Sequence, residues 1–186
     1  MRHLLALLLC SLVSTPALAA HVAEPWREAR IRPQDPRLTV LLRDGMTRSA
    51  TLRALVDRIE ASNLIVYVSL SPVMKPRLAG KLTWMTRAGD FRYLRATINT
   101  EQTSDQMIAT LGHELQHAVE VLQDESVSDQ RSLQELYKRI GRPSYSGVTA
   151  GWETSAAQET GFQVRRELLS AAATMKSARA TEWTQS

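Results

Sequence analysis

The sequence predicts an α+β domain, with a short, mainly antiparallel sheet packed against one long amphipathic helix and further helices. Three observations predict it. Segments 63–71, 80–86 and 91–100 are short and rich in β-branched and aromatic residues, as strands are. Longer stretches carry apolar residues at helical spacing, as in Ile108, Leu111, Leu115, Val119 (or Ala118) and Leu122. The composition, 44% hydrophobic over 186 residues, suits one folded domain and excludes global disorder.

Taken in order, residues 1–19 read as a signal peptide. Met1-Arg2-His3 is a short basic start, Leu4 to Val13 an almost unbroken apolar run, and Thr15-Pro16 a break. Ala17-Leu18-Ala19 then places small residues where a signal peptidase reads them, so cleavage near Ala19 and a periplasmic or secreted protein are expected. The apolar run is about half of what spans a bilayer, which argues against a stable membrane anchor. The single cysteine, Cys10, lies in this segment, so no disulfide is expected in what remains. Leu9 stands before it where a lipid-attachment site calls for a small residue, which disfavours lipidation.

Residues 20–46 form an N-terminal lead-in with breaks at Pro25, Pro33 and Pro36. Within it Leu38 to Leu42 reads as a short strand ended by Asp44-Gly45. The domain proper is assigned to residues 47–175. Thr47 or Ser49 can cap a helix to about Ala61, whose Leu52, Leu55, Val56 and Ile59 share one face. The strand at 63–71 follows, then a loop bracketed by Ser71-Pro72 and Lys75-Pro76. Strands 80–86 and 91–100 join through Arg87-Ala88-Gly89-Asp90, which suits a hairpin. Alternation in the second of them sets Arg92, Leu94, Ala96 and Ile98 on one face and Phe91, Tyr93, Arg95, Thr97 and Asn99 on the other, so one buried face and one partly wet face are expected.

Ser104 or Asp105 then caps the long helix, about 106–123, and a further helix over 128–140 ends at Gly141, the residue of a left-handed cap. Residues 142–151 read as a loop, and the last helix as 152–173 or beyond. Residues 176–186 form a polar tail. The 23 basic and 19 acidic side chains are scattered, with no concentrated basic stripe, so a nucleic-acid partner is not expected.

The long helix contains Leu111-Gly112-His113-Glu114-Leu115-Gln116-His117-Ala118, an H-E-x-x-H pattern. Positions i and i+4 lie one turn apart on the same face, so both imidazoles can point at one metal ion. Glu114, rotated by about 100° from His113, can take a proton from a metal-activated water without ligating the metal. Of four histidines, His3 lies in the signal peptide and His21 at the start of the lead-in, which leaves these two as the candidate ligands of a zinc ion. The longer H-E-x-x-H-x-x-G-x-x-H pattern fails, because Glu120 and Gln123 stand at its glycine and third histidine. The third ligand must then be a carboxylate. Glu153, opening the last helix after a glycine-containing loop, is the first candidate; Glu159 is the second and Glu120 the third. Tyr145 is a candidate to stabilise an oxyanion. Trp84, Trp152 and Phe162 read as core or rim.

With these residues in hand, the chain resembles the zincin metallopeptidases of the gluzincin type over about residues 63–169. His113, Glu114 and His117 match the family motif position for position, and Glu153 with Ala156 resembles the E-x-x-A element around its third ligand. The resemblance implies a small zincin-like domain that hydrolyses peptide bonds in a peptide or protein substrate. Its alternative is a zincin-like binding or assembly module that keeps a metal site without catalysis. In many relatives an aspartate four residues after the third ligand orients a histidine; here that position is Ala157.

Overall fold

A computed structural model describes residues 29–74, 78–146 and 149–184 of the chain. The segment read as a signal peptide, His21 and the first part of the lead-in lie outside the described residues. The fold is α+β, with five helices and a short mixed sheet. The order is β1 (Ile31–Pro33), α1 (Pro36–Arg48), α2 (Ala50–Glu60), β2 (Leu64–Ser71), β3 (Gly80–Ala88) and β4 (Phe91–Asn99). Then follow α3 (Ser104–Leu122), α4 (Gln130–Ile140), β5 (Arg142–Ser146), β6 (Thr149–Glu153) and α5 (Ser155–Thr184).

The main sheet runs β1-β2-β4-β3, and it is not mainly antiparallel as expected. β1 pairs parallel with β2 and β2 parallel with β4; only β3 and β4 are antiparallel. Between β2 and β3 the chain passes β4's place to the sheet edge. β4 then returns through the hairpin at Gly89, whose φ of 56° is the left-handed conformation a glycine adopts without strain. The expected division of β4 into a buried and a partly wet face holds over Phe91 to Ala96, whereas Thr97 and Asn99 are buried as well. Leu94, Ala96 and Ile98 are buried with Leu64, Val66 and Val68 of β2 against the helices. On the other face Tyr67 and Tyr93 stack at 6.5 Å, and Arg30 lies over the Phe91 ring. Arg92 also faces inward, donating to the carbonyls of Val121 and Asp124 at the end of α3 and to Asn63 Oδ1.

Much of the lead-in belongs to this core. Ile31, Leu38 and Leu42 are fully buried in it, and the segment read as a strand at Leu38–Leu42 is the middle of α1. A five-residue apolar run is compatible with either period; what decides is the start. Asp35 caps α1 through Arg37 N–H, and Pro36 occupies the first turn, where its missing N–H has no partner to lose. Gly45 does not end the helix but lets it approach Leu52 and Ile108.

α2 is capped by Ser49, one of the two expected candidates, and buries the predicted face. α3 starts from Thr103, a residue earlier than expected, in a reciprocal capping box with Gln106. Its whole predicted stripe faces the core, with Leu122 partly buried at its end. α4 ends at Gly141, but that residue is extended (φ −103°, ψ 177°), because the chain passes straight into β5. The expected loop over 142–151 is therefore a hairpin, β5 against β6. α5 begins at Ser155, and continues to Thr184, through most of the segment assigned to a tail. Among the described residues no helix is long and apolar enough to cross a membrane.

Glu167 ties α5 to the junction of α1 and α2. It accepts from Ser49 Oγ at 2.5 Å, Thr51 Oγ1 at 2.7 Å and Thr51 N at 3.1 Å. Burial pulls its carboxyl upward, yet the bonds from Ser49, Gln163 and Thr51 outweigh that and hold it at about 2. Glu167→Ala is expected to cost about 2 kcal/mol at neutral pH, the range of a single hydrogen bond to a charged group, because the side chain is only partly buried and water offsets much of what the set of bonds contributes. A lowered carboxyl contributes fully above its ordinary value of 4.5 and loses that contribution as pH falls towards 2. The gap between wild type and variant in urea unfolding should thus close in that window; a gap unchanged at pH 2.5 would remove the ionised carboxylate as its cause.

Candidate metal centre

α3 carries the candidate centre and packs against α5, α2, β4 and β3. His113 and His117 sit one turn apart on it, their rings 4.9 Å apart and nearly perpendicular. The third member is Glu153. It does not open the last helix, as the sequence suggested, but ends β6, which returns the chain over the two imidazoles. Its Oε1 stands 3.2 Å from His113 Nε2 and 3.4 Å from His117 Nε2. One ligand atom from each of His113, His117 and Glu153 lies within 4.8 Å of the others, a group that could hold a metal ion.

The other two carboxylate candidates are not in that group. Glu159 is exposed on α5. Glu120 is buried behind His117, with Oε2 2.8 Å from His117 Nδ1 and Oε1 accepting from Thr154 Oγ1 at 2.6 Å. Three donors from one helix would have to curl round its axis; three residues on, Glu120 instead reaches the back of the ring. Thr154 in turn caps α5 by accepting from Ala157 N–H, and it adjoins Glu153. Glu120 therefore fixes His117 directly and the Glu153 strand end through Thr154. A carboxylate that holds the second ring nitrogen sets tautomer and orientation. This is the role that Ala157 leaves vacant in the sequence pattern.

Glu114 is 3% exposed, and its Oε2 has no hydrogen-bond partner among the described residues. Burial pushes its carboxyl up, against the pull of His117 and His113. Burial lowers His117, but Glu120 and Glu153 on either side outweigh it and raise it to about 10. For Glu153 burial works upward and the two imidazoles win, holding it at about 2. Gly80, the first residue of β3, passes directly over Glu114. A Cβ there would lie 2.6 Å from Glu114 Oε1 and 2.6 Å from Thr110 Cγ2. Gly80→Val is expected to cost about 1–3 kcal/mol through overpacking and to displace Glu114. Thermal unfolding measured with metal stoichiometry will read both, and an unshifted transition would show that the strand yields freely.

Compared with known proteins, the chain matches no family model, no curated protein and no solved structure. Its chemistry is therefore read from its own geometry.

Two clefts flank the centre and share Leu78, Gly80, His113, Glu114 and Glu153. The first, about 380 Å³, runs towards α4 and the β5–β6 hairpin, past Leu82, Tyr137 and Trp152. The second, about 400 Å³, runs between α3 and α5. Trp84 packs against the core, as expected, whereas Trp152 and Phe162 line the clefts. Tyr145 belongs to β5, and its side chain lies outside the described residues. Tyr137 was not singled out from the sequence. Its hydroxyl donates to the His117 carbonyl at 3.0 Å, and its ring stands edge-on to the imidazole at 5.0 Å. The spacing Leu133, Leu136, Tyr137 marks it as facing inward; nothing in that spacing names the histidine as its neighbour.

Proposed function

We propose that the protein is an exported zinc metallopeptidase, with His113, His117 and Glu153 as ligands and Glu114 as general base. The observation that carries this reading is the convergence of those three donors beside a buried carboxylate with an unpartnered oxygen. Two imidazole nitrogens and one carboxylate oxygen form a donor set that suits zinc and leaves a fourth position open. Zinc bound there supplies Lewis acidity, which polarises a carbonyl and lowers the pKa of a water to near neutrality.

The chain's own residues then divide the work. Glu114 takes the proton of the attacking water on its carboxylate and returns it to the leaving nitrogen. Its burial, which makes the charged form costly, favours that exchange. Glu120 and Thr154 keep His117 and the end of β6 in place.

A peptide substrate is supported by the edge of β3. Asn99 N–H donates to the Ala79 carbonyl, so Ala79, Lys81 and Thr83 turn their backbone groups towards β4. By alternation Gly80 and Leu82 turn theirs to the clefts, where an extended chain could pair with them. Trp84 N–H, next in that series, is already taken by Gln130 Oε1 at 3.2 Å.

The test is zinc content together with turnover of a denatured protein. Activity that is lost to a chelator and restored by zinc is expected. Stoichiometric zinc without any turnover would replace the enzyme with a metal-holding binding module.

A further inference from the structure

We propose that the trench between α3 and α5 is a subsite for a carboxylate of the substrate, with Arg165 as its charged anchor. The proposal rests on the metallopeptidase reading, which places the scissile bond at the His113–His117–Glu153 cluster.

One wall of the trench is the N-terminal half of α3, with Gln106, Ala109 and Thr110; the other is α5, with Gln158, Phe162 and Arg165. Its inner end is the ligand cluster. Gly161 lies against His113 there, where a Cβ would stand 3.4 Å from the histidine Cβ. Arg165 follows one turn later, about 6 Å along the helix. An extended peptide covers about 3.3 Å per residue. The guanidinium thus meets groups one or two residues from the bond that is cleaved.

Away from the metal end, where Glu114 and Glu153 stand, Arg165 is the one charged side chain among the described residues that line the trench. Arg165 is exposed and makes no hydrogen bond or ion pair with the described residues, whereas its neighbour Arg166 is tied to Gln163. The α3 wall is already set: Thr110 Oγ1 donates to Gln102 Oε1 at 2.7 Å, and Gln102 Nε2 donates to the Ala79 and Asn99 carbonyls, both at 2.9 Å. A wall fixed before binding spares the ordering cost. The trench also overlies the first turns of α3, the positive end of its dipole. Phe162, 65% exposed, offers an apolar surface to the aliphatic part of an acidic side chain. A basic side chain would instead meet an unpaired guanidinium.

The source of the carboxylate is either an acidic side chain or the end of the substrate chain. Matched peptides distinguish them: glutamate against glutamine within the chain, and free acid against amide at the C-terminus. Binding is measured calorimetrically on zinc-loaded Glu114→Gln protein, and cleavage on wild type by mass spectrometry. The acid member of one pair is expected to bind about ten-fold tighter, a difference of about 1.4 kcal/mol. Arg165→Ala should erase that preference and Arg165→Glu invert it. Equal binding within both pairs, or a preference that survives Arg165→Ala, overturns the subsite whatever the cleavage assay shows. An Arg165-dependent preference without zinc-dependent cleavage by wild type supports the subsite and overturns the peptidase.

Discussion

Glu114→Gln is expected to leave a folded, zinc-loaded protein whose hydrolysis is reduced by at least about 10²–10⁴-fold, the range that a positioned base contributes. The substitution keeps the side chain's shape, so the contact beneath Gly80 survives. It removes the acceptor for the water proton, and with it the donor to the leaving group. It also removes a carboxylate that burial makes costly to ionise, so stability should be equal to or above that of wild type. Turnover, zinc stoichiometry and the unfolding midpoint should be measured on one preparation. Undiminished turnover would exclude Glu114 as the base; loss of zinc would make it part of the ligand set.

The second large effect is expected at Glu153. Glu153→Ala removes one of three donors and leaves two imidazoles next to a buried carboxylate, so zinc affinity should collapse. Glu120→Gln should weaken zinc by about 10–100-fold, as loss of a partner that only orients a ligand does. Glu159→Ala, on the exposed side of α5, should change nothing. Competition with a chromophoric chelator ranks the three. An order with Glu120 above Glu153 would exchange their roles. The ranking is best taken at one buffered pH, because His117 is raised by Glu120 and Glu153 and the cation must displace its proton. Affinity should rise with pH across the neutral range in wild type.

These outcomes also show which parts of the site local chemistry could reveal. The pairing of His113 and His117 was legible, because i and i+4 on a helix meet whatever the helix packs against. So were β2, the β3–β4 hairpin and α2 with its Ser49 cap, where alternation, turn residues and caps agree. α1 was not, because Leu38 to Leu42 is too short a run to show its period. The hairpin of β5 and β6 was read as a loop, since proline and glycines within it outweighed five-residue strands with little alternation. The parallel pairing of β2 with β4 has no local signature at all; it follows from β3 crossing to the far edge.

The sequence by itself determined the helix, the two imidazoles with Glu114 between them, and, through the shortage of histidines, that any third protein donor to a metal beside them would be acidic. Only the tertiary structure decided which carboxylate stands beside both rings. It put Glu153 at the end of β6 facing both rings, Glu120 behind His117 in place of the aspartate absent at Ala157, and Glu159 in solvent. The reason is physical. Spacing within one helix is fixed by its pitch, whereas the approach of a residue from another element depends on how β6, α4 and α5 pack around it.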